Sequence, residues 1–161
     1  MAARDIIVVG TSAGGVEALE TLVRGLPADL PAAVLVAMHL APGTASILPK
    51  ILARAGPLPA THPRDGERYE TGRIYVAPPD HHLLVRDGLL RLTRGARENV
   101  HRPAVDPLYR TASRAAGRRV VGVVLTGSGN DGTLGLWEVK ERGGIETNCL
   151  KSNLWSSLTI D

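Results

Sequence analysis

Phenylalanine is absent from the 161 residues, and cysteine occurs once, at Cys149. Without Phe the core must be filled by aliphatic and small side chains, packed closely. A single Cys cannot close an internal disulfide, which points to a reducing compartment, the cytoplasm. Lysine is also scarce. Of the 19 Lys and Arg residues only three are Lys, and the arginines (Arg24, Arg54, Arg64, Arg91, Arg118) are scattered rather than gathered into a run. Scattered positive charge is the pattern of a solvated surface, so no nucleic-acid partner is expected. No apolar run approaches the ~18 residues of a membrane span, and the N-terminus enters an apolar strand without a signal-peptide pattern. Membrane insertion is therefore not expected. What remains, 43% apolar and 22% charged residues, is the balance of one globular domain with its own core.

Apolar runs alternate with helical periodicity. Ile6–Val9 reads as a buried strand ended by Gly10, and Val16, Leu19, Leu22 and Val23 recur at helical spacing. Val34–Met38 is a second buried strand. A helix over 45–55 would place Ile47, Leu48, Ile51 and Leu52 on one face, with Pro49 inside it as a discordant residue. In the Pro-rich middle, His82–Val85 and Leu89–Leu92 flank Asp87-Gly88 and predict a β-hairpin. Asp106 and Pro107 suit the N-cap and first position of a helix that buries Leu108, Tyr109, Ala112, Ala115 and Ala116. Val120–Leu125 is a third buried strand, followed by a Gly-rich loop and a helix over 133–142. The alternation predicts a mainly parallel sheet with helices on both faces, Rossmann-like and doubly wound, with a β-hairpin insertion in the middle.

In such sheets, sites form where the strands end. Strand one runs into Thr11-Ser12, strand two into His39, and the third buried strand into the loop holding Asp131. Three residue types that build serine hydrolase sites thus share one edge. Each also has a plainer reading. Gly10-Thr11-Ser12-Ala13-Gly14-Gly15 could be only a tight turn, or a phosphate cradle at a helix start. A dinucleotide fingerprint fits poorly, because Ser12 stands at the second Gly position and strand two ends in His39 rather than an acid. His39 could be a structural histidine, and Asp131 an N-cap. Asp80-His81-His82 reads as a surface loop, and no Cys/His spacing supports a metal. Neither a metal nor a cofactor is expected.

These motifs, with Tyr75-Val76-Ala77-Pro78, His101-Arg102-Pro103, Val105-Asp106 and Leu125-Thr126-Gly127, resemble the catalytic domain of the CheB-type protein-glutamate methylesterases, from about Ile6 to Gly144. The resemblance implies a serine esterase that hydrolyses glutamate γ-methyl esters on the cytoplasmic domains of methyl-accepting chemotaxis receptors, and that can deamidate particular receptor glutamines. It places the catalytic triad on Ser12, His39 and Asp131, and the oxyanion-hole N–H donors on Ala13 and Ser128, where the family commonly has Met at the second position. His101 matches a family histidine near the site and is the alternative base. Two other functions stay open: a nucleotide- or phosphate-binding module, and an inactive homologue that docks on receptors. No receiver domain is expected ahead of strand one. Residues 1–144 are expected to form the catalytic domain, with 145–161 a divergent, truncated or frameshifted tail able to supply at most one poor strand and a short amphipathic piece.

Overall fold

The computed structural model describes residues 3–12, 14–41, 43, 46–126 and 130–148. Six parallel strands form the main sheet: β1 (Ile6–Thr11), β2 (Ala33–Met38), β3 (Ala60–Thr61), β5 (Ile74–Val76), β8 (Val120–Thr126) and β9 (Ile145–Asn148), in the order β3-β5-β2-β1-β8-β9. A second, antiparallel sheet joins β4 (Glu67–Arg68), β7 (Leu89–Thr93) and β6 (His82–Arg86). The expected hairpin is β6–β7. Asp87 and Gly88 both have positive φ, 53° and 75°, as a two-residue turn of mirror-image handedness requires.

The alternation of side chains along the central strands sorts the core into two layers. Ile7, Val9, Val34, Val36, Val121 and Val123 face Leu19 and Val23 of α1 (Val16–Arg24) and Leu52 of α2 (Leu48–Ala55). Ile6, Val8, Ala33 and Leu35 face Leu108, Tyr109 and Ala112 of α3 (Val105–Ala116), Leu136 and Val139 of α4 (Thr133–Glu141), and Leu83 and Leu90 of the small sheet. The chain winds outward from β1 through β2 to β5, then returns to lay β8 on the other side of β1. The strand order reverses there, which is where doubly wound sheets open a crevice at their carboxyl ends.

Several local expectations are corrected. Among the described residues α2 begins at Leu48, with Pro49 in its first turn. There the missing N–H costs nothing, so the proline starts the helix rather than interrupting it. Ile47 precedes the helix and is exposed. Helix α3 begins at Val105 with Ala104 as N-cap, so Asp106 lies within the first turn, and it is buried. Ala115 is exposed, and Ser113 takes the buried position instead. His82 is buried rather than in a surface loop. Its Nε2 bonds the Ala96 carbonyl, and its Nδ1 accepts from the Ala104 N–H. Residues 145–148 extend the sheet as β9, paired in parallel with β8. The tail expected beyond them lies outside the described residues.

Candidate active site

Gly10 is needed at the end of β1 because α3 crosses it closely. A Cβ there would overlap Val105 and lie 2.8 Å from the Tyr109 hydroxyl, which itself donates to the Val123 carbonyl. The crossing brings the first turn of α3 against the ends of β1 and β8. Ser12 follows β1 and is half-buried. The His39 backbone N–H donates to the Thr11 carbonyl at 3.3 Å. The first residue beyond β2 is thereby tied to the residue preceding Ser12.

The His39 ring joins Asp131 through Nε2, 2.6 Å from Oδ2. The pair is shielded, with side-chain exposures of 12% and 4%. Asp131 accepts three further hydrogen bonds: Val105 N–H to Oδ2 at 2.7 Å, Asp106 N–H to Oδ1 at 3.0 Å, and Asn99 Nδ2 to Oδ1 at 2.9 Å. Burial by itself would push its pKa up. The bonds from His39, the two backbone N–H groups and Asn99 outweigh burial and hold the carboxyl below the usual aspartate range. Two of these donors are the first N–H groups of α3, which lack partners within the helix. Asp131 therefore caps α3, which supplies no side-chain cap of its own.

Asp106 returns the arrangement. Its Oδ1 accepts from the N–H groups of Gly132 and Gly135 at the start of α4, at 3.0 and 2.7 Å. Its Oδ2 accepts from Asn99 Nδ2 at 2.8 Å. Each carboxylate caps the other's helix. The helices approach so closely that a Cβ on Gly135 would lie 2.5 Å from the Tyr109 Cβ.

His101 does not bond Asp131. Its ring stacks flat on His39, with centroids 3.5 Å apart and planes 6° from parallel. Burial, then the neighbouring His39 and Arg97, lower its pKa, with Asp131 acting in the opposite direction. An imidazole kept neutral is suited to stacking on a second imidazole. A cleft of about 230 Å³ opens beside the pair, lined by His39, Leu40, Ala41, Arg97, Val100, His101 and Arg102. A hollow of about 600 Å³ at His62, Arg64 and Arg73 shares no residue with it. Among the described residues no group of His, Cys, Asp and Glu could hold a metal, and no helix is long and apolar enough to cross a membrane. Ala13 and Ser128, the expected oxyanion donors, lie outside the described residues.

The structure thus brings His39 and Asp131 into contact, and Ser12 follows β1 at the same sheet edge, next to the end of β2 that His39 follows. Asn99 was not singled out by sequence reading. Its one available signal was an Asn in a short polar stretch, which is common in any turn.

Fold and site together define a doubly wound α/β domain whose switch-point edge carries the side-chain set of Ser-His-Asp sites. The family model described as CheB methylesterase matches residues 7–150, and the chain belongs to that family. A protein-glutamate methylesterase/protein-glutamine glutaminase of Anaeromyxobacter dehalogenans is 41% identical over 140 residues, covering 87% of this chain and 41% of that protein. One of Pseudomonas aeruginosa is 40% identical over 148 residues, covering 89% and 42%. The chain therefore spans about two fifths of the length of these curated relatives. The crystal structure of the Thermotoga maritima CheB methylesterase catalytic domain superposes with a TM-score of 0.84 at 34% identity, covering 90% of this chain and 79% of that one.

Proposed function

We propose that this chain is a protein-glutamate methylesterase domain, with Ser12 as nucleophile, His39 as general base and Asp131 as the group that orients and balances the histidine. The carrying observation is the shielded 2.6 Å bond from His39 Nε2 to a carboxylate that three other donors already hold. With Nε2 committed to Asp131, the base acts through Nδ1. It takes the Ser12 hydroxyl proton as Oγ attacks the γ-ester carbonyl, and returns it to the methoxide leaving group. Methanol departs and an acyl-enzyme remains. Water, activated by the same nitrogen, then releases the glutamate carboxylate. An amide passes through the same steps and releases ammonia, which is glutamine deamidation.

The cleft of about 230 Å³ is smaller than the ~300–1,000 Å³ of sites that enclose small-molecule ligands. It lies against His39 and His101 and has room for one side chain presented on a protein surface. The substrates on this reading are methylated glutamates of chemoreceptor cytoplasmic domains, the compartment is the cytoplasm, and neither metal nor cofactor takes part. Ala13 and Ser128 N–H groups are the oxyanion donors of the same proposal.

The test is twofold. A fluorophosphonate probe should label the chain at Ser12, and methanol should be released from methylated receptor fragments. Ser12→Ala should abolish both, with a loss on the order of 10⁴–10⁶ in kcat. Turnover within tenfold of the parent in that variant would overturn the assignment.

A further inference from the structure

Residues 98–101 form a tight turn that neither the triad nor the fold accounts for. Glu98 and His101 exchange both backbone hydrogen bonds, N–H to carbonyl at 3.0 and 2.9 Å. Between them Asn99 and Val100 have φ of 52° and 69°. Two left-handed residues in succession are the pattern of a type I′ turn, which strongly favours Asn followed by Gly. Here the second place is Val, a β-branched residue in a region that costs it about 1–2 kcal/mol, and the residue is 83% exposed. So exposed a residue gains little from packing to offset that strain. The turn is held from outside by Arg110, whose guanidinium grips Glu98 through both carboxylate oxygens at 3.0–3.1 Å.

The turn delivers two side chains to the site: His101 onto the face of His39 and the Asn99 amide onto Asp131. The Asn99 orientation follows from chemistry. Both partners are carboxylate oxygens, so the NH₂ end must face them, one hydrogen to Asp131 Oδ1 and the other to Asp106 Oδ2. Asp106 is in turn anchored by the Gly132 and Gly135 N–H groups.

We infer that Asn99 is a positioning residue for the proposed hydrolysis, a two-hydrogen clamp that fixes the Asp131 carboxylate against Asp106 and so sets the plane in which Asp131 meets His39 Nε2. The inference rests on the esterase reading of the site. Asn99 touches no reacting atom. It acts through Asp131, the way hydrogen bonds behind a ligating carboxylate or histidine fix its orientation elsewhere, where their loss costs about 10–100-fold.

Two substitutions separate this from a role in the turn alone. Asn99→Gly keeps the left-handed backbone and removes the amide. Asn99→Asp keeps size and also tolerates positive φ, but sets a third carboxylate where a donor stood. If Asn99 only shapes the turn, Asp should serve as well as Asn. If it clamps Asp131, Asn99→Gly should lower kcat about 10–100-fold with KM within about twofold, and Asn99→Asp should lower it further. The imidazole N–H proton resonance of the His39–Asp131 bond, followed by NMR in the whole chain, should move or broaden in both. A parent-like kcat in Asn99→Asp, or an unmoved resonance in Asn99→Gly, overturns the inference. If the parent and Ser12→Ala prove equally inactive on methyl esters, the esterase reading has failed instead. The resonance then still decides whether Asn99 sets the His39–Asp131 bond.

Discussion

Replacing Asp106 by Ala would remove the one side chain that caps α4 among the described residues. The carboxyl is buried and accepts from Gly132 N–H, Gly135 N–H and Asn99 Nδ2 at 2.7–3.0 Å. Both glycine N–H groups are buried. Leaving a buried donor without a partner costs about 1–3 kcal/mol, so two cost roughly 2–6 kcal/mol if the void stays dry, and nearer the lower figure if a water enters. Against a typical total of ~5–15 kcal/mol, that is a large share. A domain of this size loses about 2–4 °C of Tm per kcal/mol, so the melting temperature should fall by roughly 5–20 °C. The assay is urea denaturation with thermal melting, where the midpoint should drop with the m-value unchanged. Asp106→Asn gives an internal comparison. Its amide oxygen can still accept from both glycines while its NH₂ opposes Asn99, so it should fall between parent and Ala. An Ala variant within about 1 kcal/mol of the parent would show that the start of α4 does not depend on Asp106, and the reciprocal capping argument would fail.

Three further outcomes follow from other contacts. Gly10→Ala forces a methyl into Val105 and toward the Tyr109 hydroxyl, and should destabilise by about 1–3 kcal/mol, read from the urea midpoint; no change would mean that α3 can lift from β1 freely. Because His101 titrates below the ordinary histidine value in the folded chain, the unfolded chain binds more protons as pH falls through about 6.5, and stability should drop there; His101→Gln should flatten that slope between neutral and mildly acid pH, and parallel slopes would refute it. Val100→Gly should relieve the left-handed strain at an exposed position, raising stability by about 1 kcal/mol, and a lowered Tm would contradict this.

The legible part of the fold was the part written as local pattern. Ile6–Val9, Val34–Met38 and Val120–Leu125 are apolar runs too short for helices, and β1, β2 and β8 fall on them. Asp87-Gly88 identifies its hairpin because few dipeptides adopt two positive φ values easily. The edge shared by Ser12, His39 and Asp131 followed from strand ends alone. The supporting structure was not legible for a physical reason: its contacts join residues far apart in the chain. Asn99 meets Asp131 across 32 positions, and Asp106 meets Gly135 across 29. Asp106 before Pro107 is a strong local signal for a cap of its own helix. The structure uses the same carboxyl to cap α4. Local rules identify a residue that wants to cap, and only the packing decides which helix it serves.

Asp131 makes that distinction measurable. A carboxylate that merely capped α3 would matter for stability and not for turnover, and one that merely oriented His39 would do the reverse. The bonds from Val105 and Asp106 N–H make the cap, and on the proposed esterase reading the bond to His39 Nε2 makes the orientation. Asp131→Asn keeps one accepting oxygen and turns an NH₂ toward donors that each Asp oxygen previously served in pairs. It should therefore lower stability and also reduce ester turnover, by about 10⁴-fold if the amide favours the wrong imidazole tautomer. The pH dependence separates the two effects. The folded-state pKa of Asp131 lies below its unfolded value, so its contribution to stability is fully present above about pH 3.9 and is lost as pH falls through the folded value. The stability gap between parent and Asp131→Asn should be widest near neutrality and close at acid pH, while the turnover gap at neutral pH persists even in conditions that restore stability, such as added osmolyte. A gap in stability that stays constant down to acid pH would show that the carboxylate charge does not serve α3. Turnover recovered by osmolyte would reduce Asp131 to a helix cap and leave His39 without its orienting partner.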